Sequence, residues 1–162
     1  MKVLGFAILF VLMMAAAVVL IGQLGLLKGR MPSDLGVHDG RLKPPSVTPN
    51  SVSSQADLYP NHPQRGYARI APLTFTGDAD TAMQRLATLL RQSERTVVVT
   101  QQPDYLYAQC TTAVLKFTDD VEFWLDRKAG VIQVRSASRL GAGDLGVNRA
   151  RIEKIRAQFQ KN

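Results

Sequence analysis

Carboxylates at positions 119, 120, 122 and 126 are the first residues in this chain whose types and spacing could carry a reaction. Asp119, Asp120 and Glu122, with Asp126 beyond them, offer hard oxygen ligands for Ca²⁺ or Mg²⁺, or an acid and base pair. On strand spacing Asp120, Glu122, Trp124 and Asp126 fall on one face. The plainer expectation is that this face looks into solvent while Val121, Phe123 and Leu125 turn inward, with Asp119 and Asp120 in a hairpin turn.

A second constellation lies just downstream. Gly141, Gly143 and Gly146 spell G-x-G-x-x-G between a strand and a helix, the letters of a dinucleotide site. Only 16 residues follow Gly146, too few for a crossover strand and for the acidic residue that would hold a ribose, so the match is accidental. What remains is a Gly-rich turn flanked by Arg135, Ser136, Ser138, Arg139, Asn148 and Arg149, leading into a helix N-terminus where free backbone N–H groups favour an anion. These six residues are the candidate ligand site. The competing expectation is that they tie down a long loop by pairing with Asp119, Asp120 or Asp144. An enzymatic alternative, a hydrolase or metal-assisted enzyme, would set Asp119, Asp120 or Glu122 against Arg135 and Arg139, which would stabilise an anionic transition state.

Other chemistry has little to build on. His38 and His62 sit far apart in a Pro-rich region, in no pattern that would make a triad with Ser136, Ser138 or Cys110. The single cysteine, Cys110, forbids an internal disulfide and a Cys-rich zinc site, and in a strand it reads as a small buried hydrophobe. Neither a metal nor a cofactor is expected.

The elements that must position these residues can be read from periodicity. Residues 67–75 read as a strand. Residues 78–92 place Ala79, Ala82, Met83, Leu86, Leu89 and Leu90 on one helical stripe, with Asp78 as N-cap. Residues 95–101, 105–117, 121–126 and 131–136 are rich in Val, Tyr, Phe and Thr and are joined by turns so short that neighbours must be antiparallel. A last helix over 148–160 turns Ile152, Ile155 and Phe159 to one side. The order β-α-β-β-β-β-α predicts an α+β fold, a two-layer sandwich of one antiparallel sheet and two helices.

Ahead of this lie two segments of different composition. Residues 3–27 carry no charge and span a bilayer core of roughly 30 Å at about 1.5 Å per residue. Lys2 followed by an apolar run and Ala15, Ala16, Ala17 imitates a signal peptide, but the run continues through Val18, Val19, Leu20 and Ile21, which favours a retained anchor. Residues 29–66 hold six of the eight prolines, as a spacer or a surface wrap. The expected divisions are an anchor over 1–28, a linker over 29–41 and a domain over 42–162. Lys28, Arg30, Arg41 and Lys43 would hold the domain in the cytoplasm by the positive-inside rule, whereas the short basic lead-in resembles an export signal. The reading adopted is a single-pass protein of a bacterial inner membrane with a periplasmic domain.

The formal charge of +7, from 20 Lys and Arg against 13 Asp and Glu, points to anionic surfaces. Nucleic acid is set aside, because the 14 basic residues from Tyr67 onward are interspersed with 10 acidic ones and form no dense stripe. The last helix, with Arg149, Arg151, Lys154, Arg156 and Lys161 against Glu153, is basic enough to rest on an anionic leaflet, although a solvated face on a core-packed helix reads the same way.

KFTDDVEFWLD, VIQVRSASRLG and DLGVNRARIEKIR, between Lys116 and Arg156, together with LKPPSVTPNSVSSQA upstream, resemble the DUF1499 family, small bacterial and plastid proteins of uncharacterised function. The resemblance covers 42–156 and implies that residues 50–55 pack on the domain. It transfers no catalytic residues. Two positions depart from the family pattern. Pro45 and Ser51 stand where relatives commonly carry cysteines, so the bridge that pattern would imply is absent here, and Gly143 replaces another residue. The function expected from all of this is a membrane-anchored envelope protein whose domain binds a protein partner, a lipid or an anionic ligand, in one form as an accessory subunit whose anchor packs through its Gly and Ala positions.

Overall fold

Lys2–Gln23 forms helix α1, apolar with a mean hydropathy of 2.9, and at about 1.5 Å per residue its 22 residues reach roughly 33 Å. It is long and apolar enough to cross a membrane. The computed structural model of the protein describes residues 2–161. Beyond α1 the elements are β1 (Ser51–Ser53), a single 3-10 turn (Ala56–Leu58), α2 (Arg65–Ala68), α3 (Ala79–Gln92), β2 (Thr96–Gln102), β3 (Tyr105–Thr111), β4 (Thr118–Asp126), β5 (Val131–Ser138) and α4 (Val147–Phe159).

The strands form one antiparallel sheet in the order β1-β5-β4-β3-β2. Short connections keep β2 to β5 sequential neighbours, and the three-residue β1 closes the far edge beside β5. Helices α3 and α4 cover one face. Asp78 caps α3 as expected, its carboxylate accepting from the Thr81 backbone N–H at 2.8 Å. The stripe behind it (Ala82, Met83, Leu86, Leu90) meets Phe123, Ile132, Val134, Ile152 and Phe159 in the core. The α+β sandwich expected from the sequence is the one observed.

Three local expectations are corrected. Residues 67–75 are not a strand: Tyr67 belongs to α2, and Leu73 makes only an isolated bridge to Ile132. Pro72 has no N–H for a ladder, and Arg156 takes the carbonyls of Ala71 and Pro72 instead. The first strand is β1, within the upstream block 50–55. Strand β3 stops at Thr111 because the chain turns back at 112–117, where Lys116 adopts φ 56° and the Thr112 N–H bonds the Phe117 carbonyl. Asp119 and Asp120 consequently lie inside the ladder, opposite Cys110 and Gln109, and not in a hairpin turn.

The face bearing Asp120, Glu122 and Trp124 was expected in solvent, but the segment 31–44 runs across it. Gly36 N–H donates to Glu122, Pro44 carbonyl accepts from Arg135, and Leu42 is fully buried with its N–H on the Gln55 side chain. Residues 31–44 form a strap, the wrap alternative for this Pro-rich stretch.

Helix α1 meets the domain at one end of the sheet. A Cβ on Gly22 would lie 2.6 Å from the Leu115 carbonyl oxygen, and the Gln23 amide donates to the Val114 carbonyl at 2.8 Å. This proximal end carries the β3–β4 loop, the β5–α4 loop and the starts of β1 and β2, by the pairings Thr111 with Thr118, Asp119 with Ser138, Ser51 with Ala137 and Thr96 with Cys110. The distal end carries the turns after Gln102 and Asp126.

Candidate functional site

On the strap face, strand alternation lines up Tyr105, Tyr107 and Gln109 of β3, Asp120 and Glu122 of β4, and Arg135 of β5. Arg139 grips Asp120 through Nη2 at 2.7 Å and Nε at 3.0 Å, the two-pronged geometry suited to a carboxylate. Tyr107 adds its hydroxyl to Asp120 at 2.6 Å and accepts from Gln109 at 2.9 Å. Glu122 pairs with Arg135 at 3.3 Å and accepts from Tyr105 and the Gly36 N–H, both at 2.8 Å. Asp120 and Glu122 are 1% and 0% exposed. Burial is the main force raising the proton affinity of both tyrosines, with Glu122 adding to it at Tyr105 and Asp120 at Tyr107; burial also pulls Arg135 below its usual range against the pull of Glu122.

The six candidate ligand residues do not share one cavity. Arg135 and Arg139 belong to the strap face. Ser136, Ser138 and Asn148 meet on the helix face, where Asn148 accepts from Ser136 at 2.6 Å and donates to Ser138 and to the Asn50 carbonyl, both at 3.0 Å. Arg151, not among the six, completes this cluster by donating to Ser136, Asn148 and the carboxylate of Asp119. Arg149 stands apart, on the Tyr67 carbonyl.

The anion at the N-terminus of α4 is the chain's own. The Asp144 carboxylate accepts from the Gly146 N–H at 3.0 Å, the Asn148 N–H at 2.9 Å and the Tyr67 hydroxyl. Burial opposes its charge, but these donors prevail and hold the carboxyl below its ordinary range. The Gly-rich loop is thereby pinned, not left open as a phosphate cradle. The carboxylates of the enzymatic alternative are each engaged with an arginine, Asp119 with Arg151, Asp120 with Arg139 and Glu122 with Arg135. Among the described residues no group of three His, Cys, Asp or Glu side chains is arranged to hold a metal. Burial pushes the Cys110 thiol up, away from the reactive thiolate.

The helix face also carries a groove of about 880 Å³ between the C-terminal half of α3, the β2–β3 edge and α4. Arg85, Arg95, Arg151, Lys154 and Lys161 line it against a single acid, Glu94. Arg95 pairs with Glu94, and Arg151 with Asp119 below the floor. Lys154 has no ion-pair partner among the described residues. Arg85 lies over the Phe159 ring at 4.5 Å, with its buried Nε lacking any hydrogen-bond partner. The stripe Val147, Arg151, Lys154, Gln158, Lys161 is legible at helical spacing; that Arg85 and Arg95 face it follows only from the packing of α3 on α4.

The chain was compared with known families, curated proteins and solved structures. The family described as "Protein of unknown function (DUF1499)" matches residues 41–159, nearly the span over which the sequence motifs resemble it. No curated protein and no solved structure matches the chain.

Proposed function

Given that the chain belongs to the DUF1499 family, we propose that it is a membrane-tethered binding module whose domain takes an anionic ligand into the groove between α3 and α4. The observation that carries this reading is the charge of the lining, five cations against one carboxylate in a concave site of ligand size. The strap-face ions neutralise one another in pairs and serve the fold. The groove cations exceed their partners, and their field is left for something that enters.

Retention of α1 as an anchor is supported by the fit of Gly22 and Gln23 against the β3–β4 loop, because that contact makes the end of the apolar helix part of the domain's own packing. In this reading the protein sits in the bacterial inner membrane with its domain on the periplasmic side. An accessory subunit of a larger membrane complex is one form it can take.

The test is calorimetric titration of the full chain, in an uncharged detergent, with inorganic pyrophosphate as probe. Binding that weakens with salt, and that falls about tenfold in the double variant Arg95→Asn, Lys154→Ala, supports the groove. Asparagine is chosen because Arg95 sits at φ 53°, a conformation Asn tolerates. No heat in the wild type, or equal heat in the variant, overturns the reading.

A further inference from the structure

The loop from 141 to 146 does something that its glycines alone do not explain. Leu145 is fully exposed and held at φ 52°, a left-handed conformation that is unfavourable for leucine. Neither exposure nor conformation helps the fold. Yet the loop is fixed in place by Asp144, bonded on one side to Tyr67 and on the other to the backbone of Gly146 and Asn148. A rigid loop thus presents an apolar side chain outward.

Leu145 has company. Val47, Val114, Leu140 and Val147 are also exposed; the first three lie in connections at the proximal end of the sheet, the end that receives α1, and Val147 opens α4 there. Leu24 and Leu26 continue the apolar exposure along the chain leaving that helix. The distal turns, 103–104 and 127–130, carry no exposed large hydrophobic residue. Met31, Leu58, Val97 and Val99 are exposed singly on the strap, the 3-10 turn and edge strand β2, and scattered exposed apolar residues need no explanation. Five in the loops and helix start of the one end joined to a membrane-spanning-length helix do need one.

The groove opens on this same end. Thr111, Thr112 and Ala113 line it, and the next two residues touch the end of α1. Val147 belongs both to the apolar rim and to the groove wall. Exposed Lys28 and Arg30 flank the rim from the chain just after α1. Apolar side chains beside cations are what a protein surface needs to rest on an anionic leaflet, the first entering the boundary of the acyl chains and the second meeting phosphate.

We infer that the rim of Val114, Leu140, Leu145 and Val147 docks on the bilayer entered by α1, and that the groove receives the phosphate of an anionic phospholipid from that leaflet. This rests on the groove reading above and names its ligand class. A phosphate monoester free in water shares the chemistry, so the test must separate the two sources.

The full chain is placed in nanodiscs of phosphatidylcholine with brominated acyl chains, with and without phosphatidylglycerol. Tryptophan is the reporter: the native Trp124, on the strap face, serves as control, and Leu145→Trp in a Trp124→Phe background probes the rim. Bromine should quench the rim reporter severalfold more than Trp124, phosphatidylglycerol should deepen that quenching, and Arg95→Asn with Lys154→Ala should abolish the deepening. Val114→Trp repeats the measurement if the 145 variant fails to fold. A rim reporter quenched no more than Trp124 overturns bilayer docking. Quenching indifferent to phosphatidylglycerol overturns headgroup capture, and if inorganic pyrophosphate still binds, the ligand is the soluble anion. Loss of pyrophosphate binding itself marks failure of the groove, not of the rim.

Discussion

The two faces of the sheet handle charge in opposite ways. Beneath the strap, Asp120 with Arg139 and Glu122 with Arg135 are matched one to one and closed off by residues 31–44. On the helix face Asp119 has its partner in Arg151, but Arg85, Lys154 and Lys161 line an open groove in excess of the available carboxylates. A buried ion pair adds little net stability compared with apolar packing, yet it is costly to break singly. An unpaired cation at the wall of a groove costs the fold little and is available to a ligand. Charged residues of one chemical type are thus fully paired within the fold on one face and left in excess of their partners on the other.

The sharpest way to break this comparison is to remove one partner under the strap. Glu122→Ala leaves Arg135 buried and uncompensated and should cost about 3–5 kcal/mol, read by denaturant unfolding of the full chain in detergent, while the fraction still folded keeps its affinity for pyrophosphate. A destabilisation under 1 kcal/mol would mean that the strap admits water to the pair.

Next in size is the join to α1. Gly22→Val drives a side chain into the Leu115 backbone and should cost about 1–3 kcal/mol, with faster amide hydrogen exchange across 112–117 and unchanged exchange at the distal turns. Equal exchange in both regions would show that α1 and the domain are uncoupled.

The groove should respond in the reverse sense. Arg95→Asn with Lys154→Ala should change stability by no more than about 0.5 kcal/mol and weaken pyrophosphate binding by about tenfold, since a charge-assisted contact is worth roughly 1.5 kcal/mol or more.

The smallest effects are set by pH. Tyr105 and Tyr107 have raised proton affinities in the folded chain, so their contribution is complete below the unfolded value of about 10 and is lost as pH climbs above it. Asp144 is shifted downward, so its contribution is present above about 4 and is lost as pH falls below that. Unfolding followed from neutral to alkaline pH should therefore loosen the strap first, seen as exposure of Trp124. Acidification should instead release the 141–146 loop. A strap indifferent to alkali would remove the tyrosines from its account.

Much of the fold was legible because its signals are periodic. The stripe from Ala82 to Leu90, the Asp78 cap and the alternation through 121–126 each report a face, and the short turns allow few pairings. The 67–75 strand failed because apolar alternation there is overridden by Pro72 and by the claim of Arg156 on its carbonyls. Asp120 and Glu122 looked solvent-facing because a strand pattern says which side chains share a face, not what lies over it; Gly36, 86 positions from Glu122, and Pro44, 91 positions from Arg135, supply the cover. The candidate ligand residues were chosen by proximity in sequence, yet Arg135 and Ser136 are adjacent and point to opposite faces, as strand neighbours must. At the helix N-terminus, where the sequence suggested room for an external anion, Asp144 of the same loop takes the backbone donors of Gly146 and Asn148.

The most direct test of the central claim, that the surplus cations of the helix face bind an anionic lipid group, is native mass spectrometry of the full-length protein released from nanodiscs of mixed phosphatidylglycerol and phosphatidylcholine. The account predicts preferential retention of phosphatidylglycerol by the wild type, a preference that falls about tenfold in Arg95→Asn, Lys154→Ala and survives in the distal variant Arg127→Ala. Equal retention of the two lipids, or a stoichiometric companion protein with no lipid bound, would contradict it.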